Sequence, residues 1–446
     1  MAELRVCINT WNVATQDPPT IEAFKDMIWI QTQNGPDLYV WGLQEVSSKP
    51  HEFIQSAFSD DPWTEAISNV VCPKGYVMIN SVRLQGIVLL FYVRMLHLPF
   101  IHNVQTALTR TGLGGVWGNK GAVSVRFDCY RRSVCLIAVH LSPHQDGWEK
   151  RDKEFHTIVT TQEFPQCNAT TILDHDYVLW FGDLNYRIED LSTEAIKFLA
   201  APKKLHVLQE KDQLLNSMRH KRAFGGFQEG ALAFMPTYKY DLKSNEYDTS
   251  PKQRAPAWTD RILWKVNRRA SIDQNYLSIK QLSYHCHSDI LWSDHRPVSA
   301  EFLAKVTTDD VQPLVSFVPI ESWSKGEDAE CIYSVLPDTK TSSWDWIGLY
   351  KVGFHTAQKH YVTYVYAVPN GESNSGMCKI KFGSGYLPED TCTKYVLCYI
   401  SRTMNCVLGV SNVFRILPSE ASERQLQQET QQLANSQLET AVQAGF

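Results

Sequence analysis

The feature that most limits the fold is a series of short apolar runs, rich in β-branched and aromatic residues, that recurs between residues 5 and 303. Their lengths and polar breaks are typical of strands. The predicted strands cover residues 5–13, 38–43, 85–93, 122–127, 134–140, 177–181, 261–266 and 297–303. Longer polar stretches at residues 20–33, 147–161 and 193–208 are predicted helices. Strands mixed with helices predict an α/β or α+β domain.

The character of the chain changes after residue 304, which we take as the end of a first domain, 1–304. Residues 305–312 are polar and precede a proline, so they are predicted to be a linker. Residues 313–417 alternate short aromatic runs with Gly, Pro, Asn and Ser turns, which predicts a small antiparallel β-sandwich. Residues 418–446 are rich in Gln and poor in large apolar residues, so we expect a frayed helix or a disordered tail.

Composition excludes several classes of protein. A net charge of −5 over 446 residues disfavours a general polyanion binder, because such proteins carry a large excess of Lys and Arg. Eleven cysteines without a C-x-x-C pair indicate reduced thiols in a cytosolic protein. The longest apolar run, residues 86–93, is too short to span a membrane. We therefore expect a cytoplasmic protein.

Acidic, amide and imidazole residues share one placement relative to the predicted strands. They lie at a strand end or just before a strand start: Asn12, Glu45, His140, Asp183, Asn185, Asp260, Asp294 and His295. Where neighbouring strands run antiparallel, starts and ends meet at one edge of a sheet, so these side chains can converge there. Each residue alone has an ordinary explanation, such as a solvated loop for Glu45 or a turn for Asp294. Only their joint occurrence indicates a site.

The residue types of this set point to phosphate chemistry. Carboxylate and amide oxygens without thiolates favour a hard cation such as Mg²⁺. A further carboxylate can orient or deprotonate water, and an imidazole held by a second carboxylate can stabilise charge on a phosphoryl group. The set therefore predicts metal-assisted phosphoester hydrolysis by direct attack of water.

The motif series gives a resemblance to a known family. Between residues 5 and 303, the following segments resemble, in order, the motifs of the inositol polyphosphate 5-phosphatases: TWNV, LQEV, GNKGAVSVRF, HLSPH, WFGDLNYRIED, PTYKYD, PAWTDRILW and SDHRPV. That family belongs to the DNase I-like superfamily. The resemblance implies a four-layer DNase I-like β-sandwich flanked by helices. It also implies a Mg²⁺-dependent phosphatase that acts on the 5-position of inositol rings.

The resemblance implies three groups of site residues. The metal ligands would be Glu45, Asn12 and Asp294. The catalytic residues would be Asp183, Asn185, His295, Asp260 and His140. The residues that bind substrate phosphates would be Asn119, Lys120, Tyr238, Lys239, Lys252 and Arg254. Arg187 would brace the catalytic loop.

Roles within the catalytic group follow from the same resemblance. Asp183 would activate the attacking water, and Asn185 would position the water or a phosphate oxygen. His295, oriented by Asp260, and His140 would contact the scissile phosphate. No substitution interrupts these positions, so we expect an active enzyme.

Local charge bears on the substrate. Residues 239–269 contain eight Lys or Arg against four Asp or Glu, an excess of four positive charges. A compact basic pocket suits a polyphosphorylated headgroup, whereas duplex DNA requires a long basic track; a solvated basic loop is the alternative. We expect phosphatidylinositol 4,5-bisphosphate and 3,4,5-trisphosphate as substrates, with soluble inositol polyphosphates as further candidates and no nucleic acid.

The second domain and two loops suggest further contacts. The segment WDWIGLYKVG, with YVTYVYA and YVLCYIS, resembles the SKICH domain, an immunoglobulin-like β-sandwich, which implies an unidentified protein partner. It also implies recruitment to the endoplasmic reticulum and plasma membrane. Val116, Trp117 and Trp148 would make peripheral membrane contact, with internal packing as the alternative. Two alternative functions stay open: a nuclease of the same superfold, and an inactive scaffold acting through its SKICH domain.

Overall fold

Two six-stranded sheets dominate the part of the first unit that is described. The computed structural model describes residues 2–20, 35–47, 61–165, 167–267, 277–367 and 377–418. The strands of this unit are β1 (Ala2–Asn12), β2 (Leu38–Gln44), β3 (Tyr76–Leu84), β4 (Ile87–Arg94), β5 (Ile101–Gly112), β6 (Trp117–Cys129), β7 (Arg132–His140), β8 (Tyr177–Asp183), β9 (Gln228–Glu229), β10 (Asp260–Val266), β11 (Ile279–Cys286) and β12 (Val298–Val306). All eight predicted strands are present, and β12 extends into the predicted linker.

Strand order places parallel pairs at the centre of each sheet. The first sheet runs β11-β12-β1-β2-β4-β3, and the second runs β5-β6-β7-β8-β10-β9. β1 is parallel to β2 and antiparallel to β12. β7 is parallel to β8, which is antiparallel to β10. The carboxyl ends of the parallel strands therefore meet the amino ends of their antiparallel neighbours.

The two sheets pack face to face. Phe91 of β4 stacks on Phe127 of β6, with ring centroids 4.4 Å apart. Gly42 in β2 allows a close approach of the sheets, because a Cβ there would lie 2.6 Å from Cε2 of Phe181 in β8. The inner faces are therefore joined by apolar contact.

Helices cover the outer faces. The α-helices are α1 (Pro62–Val71), α2 (Trp148–Thr161), α3 (Thr193–Leu199), α4 (Leu205–Glu210) and α5 (Gln213–Arg219). Short 3₁₀ helices are Cys72–Lys74, Met95–Phe100, Leu113–Gly115, Ile172–Asp174, Pro202–Lys204 and Ser384–Tyr386. Ile67 of α1 packs with Trp41 of the first sheet. Phe155 of α2 and Leu214 of α5 pack with Trp180 of the second sheet. This helix–sheet–sheet–helix order confirms the predicted four-layer fold.

Local signals explain where the helices begin and break. Asp61 caps α1 by accepting from the backbone N–H groups of Trp63 and Thr64. The helix predicted at residues 193–208 is instead two helices, α3 and α4. Pro202 lies between them, and proline cannot supply the N–H that a continuous helix requires. The helix predicted at 20–33 lies outside the described residues, apart from Thr20.

The chain divides into two units, Met1–Gln312 and Pro313–Phe446. The second contains β13 (Val315–Phe317), β14 (Ser322–Ser324), β15 (Ala329–Val335), β16 (Trp346–Lys351), β17 (Tyr361–Tyr366), β18 (Met377–Phe382), β19 (Lys394–Ser401), β20 (Cys406–Val410) and β21 (Phe414–Leu417). One sheet has the order β13-β15-β18, and the other β14-β21-β19-β16-β17 with β20 beside β19. Their shared core includes Trp323, Tyr333 and Leu397.

This unit confirms the predicted small β-sandwich. Of the predicted tail, all but the first residue lies outside the described residues. In the described segments of the whole chain, no helix combines the length and apolar character needed to cross a bilayer.

Candidate active site

One edge of the first sheet carries polar side chains from three strands. Asn12, the last residue of β1, is in register with Gln44, the last residue of β2, so Glu45 lies directly beyond this edge. The segment that leads into β12 returns to the same place. There, the Ser293 hydroxyl donates a hydrogen bond to the Asn12 carbonyl oxygen at 2.7 Å.

The second sheet contributes a matching edge. His140 at the end of β7 is the register partner of Asp183 at the end of β8. Asp183 is in turn the partner of Asp260, which begins β10. The Asn12 side chain bridges the two sheets, since its Nδ2 donates to Oδ2 of Asp183 at 3.0 Å. Strand direction thus brings together residues far apart in sequence.

Asp183 is a buried carboxylate with several partners. Its Oδ2 lies 3.2 Å from His140 Nε2, and its Oδ1 accepts from the Asn185 backbone N–H at 3.0 Å. Burial raises the pKa of Asp183, but the interaction with His140 and the positive charges of His295 and Lys120 outweigh burial. The pKa therefore lies well below its usual range, and Asp183 is ionised at neutral pH.

A glycine immediately before Asp183 shapes this edge. Gly182 has a φ of 141°, and a Cβ at this position would overlap the carbonyl oxygen of Val139 in β7. Only glycine adopts this backbone conformation without strain. The sequence G-D at the end of β8 thus lets the strand pass close to β7 and present Asp183 at its tip.

His295 is a buried imidazole held by a second carboxylate. Its Nδ1 lies 2.9 Å from Oδ2 of Asp260, and the same oxygen accepts from the hydroxyls of Thr237 at 2.7 Å and Thr259 at 2.8 Å. Burial lowers the pKa of His295, but the charge of Asp260, its hydrogen bond and the charge of Asp183 raise it to about 9. His295 is therefore an imidazolium at neutral pH, with Nε2 left to donate.

Glu45 presents a carboxylate suited to a metal. Its φ is 56°, an uncommon conformation for a non-glycine residue, and its carbonyl oxygen accepts from the Thr15 backbone N–H at 2.9 Å. The side chain is 43% exposed, and its Oε1 is 3.9 Å from His140 Nε2. Together with the Asn12 amide, this makes an all-oxygen donor set, which fits Mg²⁺ or Ca²⁺ better than a thiophilic metal.

A second acidic group near the site is a poor metal centre. Single ligand atoms of Asp183, Asp260 and His295 lie within 4.8 Å of one another. A metal would need His295 as a neutral imidazole. Because His295 is protonated and its Nδ1 is held by Asp260, we assign this trio to electrostatic pairing instead.

Aromatic and basic residues form the wall beside His295. The Tyr238 ring centroid lies 4.5 Å from that of His295, and Cζ of Arg187 lies 4.5 Å from the centroid of Tyr238. Arg187 also donates to the side chain and, at 3.1 Å, to the backbone oxygen of Asn185. Arg187 therefore holds the backbone and side chain of Asn185, which is the contact that the predicted bracing role requires, and it also packs against the Tyr238 ring.

Two lysines expected to bind phosphate already contact the site. Lys239 donates to the carboxylate of Asp294, a bond that raises the pKa of Lys239 despite the opposing effect of burial. Lys120 Nζ lies 3.2 Å from His140 Nδ1 and also contacts its Nε2. Burial lowers the pKa of Lys120 even though Asp183 and Glu45 oppose the shift.

The remaining predicted substrate residues lie further out. Arg254 is exposed and lines a cleft of about 970 Å³ together with Arg187 and Tyr238. Lys252 is exposed, and its backbone N–H donates to the Ser250 hydroxyl. Asn119 is exposed on β6, and its side-chain amide oxygen occupies the space that a Cβ at Gly112 would fill. No contact joins Lys252 or Asn119 to the catalytic side chains in the described part of the chain.

The basic pocket expected from residues 239–269 needs correction. Arg261, one of its eight cations, is fully buried and pairs with Asp212 at 3.0 Å and Glu229 at 2.6 Å. Its charge is neutralised inside the protein, since a buried unpaired guanidinium would be costly. Two of the other cations, at 268 and 269, lie outside the described residues. Charge counted along the sequence therefore overstated the charge available to a substrate.

The loops expected to meet a membrane differ from each other. Val116 and Trp117 are exposed by 79% and 54%. Trp148 is only partly exposed, packs against the core of the second sheet and lies beneath Cζ of Arg222, 4.3 Å from the ring centroid. Internal packing, the alternative to membrane contact, therefore describes Trp148.

Sequence reasoning assigned no role to Thr237, Thr259 or Trp11. Both threonine hydroxyls bond Asp260, and the Trp11 indole N–H donates to the His295 carbonyl oxygen at 3.2 Å. Their positions within the motifs could have identified them. Thr237 lies in PTYKYD, Thr259 precedes Asp260 in PAWTDRILW, and Trp11 lies in TWNV.

Known proteins share this architecture. The endonuclease/exonuclease/phosphatase family 2 pattern matches residues 9–301, and the SKICH domain pattern matches residues 315–416. The chain is 40% identical over 426 residues to phosphatidylinositol 4,5-bisphosphate 5-phosphatase A of Rattus norvegicus, covering 94% of this chain but 42% of that protein. It is 37% identical over 423 residues to inositol polyphosphate 5-phosphatase K of Mus musculus, covering 93% of this chain and 90% of that protein.

A solved structure extends the similarity to three dimensions. The inositol polyphosphate 5-phosphatase domain of SPsynaptojanin, crystallised with inositol (1,4)-bisphosphate and a calcium ion, matches with a TM-score of 0.58 and 32% identity. The match covers 69% of this chain and 87% of that one.

Proposed function

The chain belongs to the inositol polyphosphate 5-phosphatase family and carries a SKICH domain, and on this premise we propose that it is a phosphoric monoester hydrolase. Its proposed reaction removes the 5-phosphate of phosphatidylinositol 4,5-bisphosphate and phosphatidylinositol 3,4,5-trisphosphate. Soluble inositol polyphosphates are further proposed substrates. The names of the relatives support phosphatidylinositol 4,5-bisphosphate as a substrate. The predicted substrate-binding residues are the reason for proposing the other substrates.

One observation carries the proposal. An ionised carboxylate, Asp183, and a protonated imidazole, His295, are buried where the strand ends of the two sheets meet, and one ligand atom of each lies within 4.8 Å of the other. Their pKa values are shifted in opposite directions, which is the arrangement that separates a base from an electrophilic donor. A phosphate bound beside both groups would receive positive charge from His295 and a water activated by Asp183.

The residues support attack by water without a covalent intermediate. Asp183, fixed by Asn12 and His140, would orient a water molecule and accept its proton as the water oxygen bonds to phosphorus. The Nε2–H of His295 would stabilise the charge on the phosphoryl oxygens. The bond between phosphorus and the inositol 5-oxygen breaks, and this oxygen takes up, through solvent water, the proton that Asp183 accepted, giving inorganic phosphate and an inositol hydroxyl.

We propose Mg²⁺ as the metal, held by Glu45 and Asn12. When bound there, the ion would act as a Lewis acid for the phosphate charge. The all-oxygen donor set supports a hard cation, and the calcium ion in the SPsynaptojanin complex supports a divalent one. Asp294 was expected on the metal side, but its carboxylate pairs with Lys239.

Phosphate release from a panel of inositides, with and without Mg²⁺, tests the proposal. Release should be confined to compounds with a 5-phosphate and should stop when the metal is chelated. Asp183→Asn should lower kcat about 10²–10⁴-fold, because an amide cannot accept the proton of water. Glu149→Gln, an exposed change at the start of α2, is the control and should keep full activity. Equal release from compounds that lack a 5-phosphate would contradict the proposal.

Contact with membranes forms a second part of the proposal. Exposed Val116 and Trp117 would insert at the lipid interface, where tryptophan is favoured. We expect Trp117→Ala to lower turnover on phosphoinositide vesicles several-fold, about 1 kcal/mol of lost interfacial burial, while turnover of the soluble headgroup stays unchanged. Equal turnover of the wild type and the variant on vesicles would contradict the proposed membrane contact.

The cellular site stays a proposal. We propose a cytoplasmic protein recruited to the endoplasmic reticulum and plasma membrane, supported by eleven cysteines that are all free thiols. Imaging of a fluorescent fusion with markers of both membranes checks this. The protein partner of the SKICH domain also stays a prediction, which co-purification with the full chain checks.

A further inference from the structure

The second unit presents a group of aromatic side chains around a small cavity. The cavity has a volume of about 320 Å³, within the lower range of small-molecule sites. We call its walls the aromatic cage. The lining residues are Trp344, Trp346, Gln358, Tyr361, Tyr364, Tyr366 and Arg402. All of them belong to the second unit, Pro313–Phe446, whereas the residues of the proposed hydrolysis belong to the first.

The rings of the cage stand nearly perpendicular to one another. Trp346 meets Tyr364 at 5.4 Å between centroids with an interplanar angle of 69°, and it meets Tyr361 at 5.3 Å and 71°. Trp344 meets Tyr366 at 6.0 Å and 81°. Edge-to-face contacts of this kind fix the rings as walls rather than stacking them into a closed layer. The rings therefore stand as separate walls around the cavity.

A buried carboxylate holds the loops that carry the cage. Asp345 lies between the two tryptophans and is fully buried. Its Oδ1 accepts from the Arg402 backbone N–H at 2.8 Å, and its Oδ2 accepts from the Ser342 N–H at 3.0 Å and the Tyr399 hydroxyl at 3.1 Å. Asp345 thus ties Trp344 and Trp346 to the segment that contributes Arg402, so the cage is formed before any ligand arrives.

Sheet geometry also serves the cage. Tyr364 and Tyr366 alternate along β17, the terminal strand of its sheet, and therefore share one face. In β16, Gly348 lies opposite Tyr364, and a Cβ there would come within 2.7 Å of Cζ3 of Trp346. A glycine at this position leaves room for the Trp346 ring beside the cavity.

These rings are exposed although they are largely apolar. Trp344 is 64% exposed and Tyr366 47%. Exposed apolar groups gathered at one place mark a binding surface more often than a general feature of protein surfaces. The arrangement of rings matches the cages that recognise quaternary ammonium groups through cation–π attraction.

Charge selects among ligands with such a group. Arg402 is the single formally charged residue among the seven described residues that line the cavity, and none is acidic. An isolated cation would be repelled by Arg402, and a simple anion would gain nothing from the ring faces. A zwitterion with a trimethylammonium close to a phosphate satisfies both, since guanidinium groups bind phosphate well.

We propose that the aromatic cage binds the phosphocholine headgroup of membrane lipids, with the trimethylammonium against the rings and the phosphate at Arg402. The exposed Trp344 and Tyr366 favour a bilayer as the source, because tryptophan and tyrosine are stable at the level of lipid headgroups. The second unit then binds the zwitterionic lipid that surrounds a phosphoinositide.

The first test measures binding of soluble phosphocholine to the full chain. The change in tryptophan fluorescence reports the binding. We expect saturable binding below about 10 mM, and Trp344→Ala and Tyr364→Ala should each weaken it about tenfold. Arg402→Gln should weaken phosphocholine binding more than binding of choline, which lacks the phosphate. Tyr386→Ala removes a ring of the same unit that is 75% exposed and lies outside the cage, and it should change nothing.

Bilayers identify the source of the headgroup. Nanodiscs of phosphatidylcholine without phosphoinositide should bind the wild type better than nanodiscs containing phosphatidylethanolamine in its place, and Trp344→Ala should remove the difference. The proposal is overturned if phosphocholine shows no saturable binding, or if Tyr386→Ala and Trp344→Ala lose phosphocholine affinity equally. Equal binding of the wild type to both bilayers would also overturn it. A trimethyl-lysine peptide that binds more tightly than phosphocholine, and more tightly still to Arg402→Gln, would also overturn it.

Discussion

At the scale of single residues, the site depends on two groups with opposite protonation. Asp183 is ionised because His140, His295 and Lys120 surround it, and His295 is protonated because Asp260 and Asp183 surround it. Each group therefore maintains the state of the other. Removal of one partner should change the other's pKa as well as its position.

Asp260→Asn tests how His295 stays charged. The pKa of His295 is raised from 6.5 to about 9, so kcat/KM should fall as pH rises through about 9 and His295 loses its proton. Asparagine removes the main positive contribution to this pKa, so the alkaline fall should move to lower pH. At neutral pH, kcat should drop about 10²–10⁴-fold. The pH profile of kcat/KM measures both effects.

The same ion pair affects stability with a defined sign. Because the pKa of His295 is higher in the folded state, the stabilising contribution of the ion pair is complete below pH 6.5 and is lost as pH rises towards about 9.

Asp37→Asn is the matched control for the pH profile of kcat/KM, since Asp37 pairs with His97 at 2.9 Å elsewhere in the same unit. The Asp37→Asn variant should keep the fall of kcat/KM at alkaline pH. An unchanged pH profile in Asp260→Asn would contradict the role given to Asp260.

At the scale of secondary structure elements, close packing of the two sheets positions the site. β1 and β2 belong to one sheet, and β7 and β8 belong to the other, yet Asn12 and Asp183 are hydrogen-bonded across them. That contact requires the sheets to approach closely near the strand ends. Gly42 in β2 and Phe181 in β8 make this close approach possible.

Gly42→Ala tests the approach of the sheets. A Cβ would lie 2.6 Å from Cε2 of Phe181 and 3.3 Å from Cβ of Ala138, so either the sheets or the Phe181 ring must move. Overpacking of this kind typically costs about 1–3 kcal/mol, which denaturant unfolding would measure. Gly225→Ala is the control, because no atom lies within 4 Å of a Cβ at that position. Equal stability of the two variants would show that this contact does not set the sheet spacing.

At the scale of the whole molecule, charge is spread unevenly. The net charge of −5 coexists with Lys120, Arg187, Lys239 and Arg254 beside the site or its cleft. Lys239 is paired with Asp294, and Arg187 is held by Asn185. Three of these four basic groups therefore have protein partners, and so few cations suit a small polyphosphate better than a duplex.

This charge distribution predicts that DNA is a poor substrate. Supercoiled plasmid should stay intact under conditions that release phosphate from phosphatidylinositol 4,5-bisphosphate, even at low salt, because a long basic track is needed for duplex binding. Gel electrophoresis of the plasmid measures nicking. Nicking that disappears in Asp183→Asn would instead assign nuclease activity to this site.

Much of the fold was predictable because its signals are local. Apolar runs and the polar residues at their ends lie within short windows, and they indicated eight strands of the first unit and the second β-sandwich. They missed β3, β5, β9 and β11. The four-layer sandwich followed from the family resemblance. Helix α1 was missed although Asp61 and Pro62 form a standard helix start. The roles of the site residues stay predictions, which the Asp183 and Asp260 variants test.

The sequence by itself determined which chemical groups stand at the strand ends and which family pattern they follow, because both are properties of short segments. Only the tertiary structure decided which of these groups meet. Asn12 reaches Asp183 across 171 positions in sequence, Arg261 is buried against Asp212 instead of facing a substrate, and Trp344 and Arg402 line one cavity. Such contacts depend on sheet pairing and on the packing of sheet against sheet, which no local pattern of residues specifies.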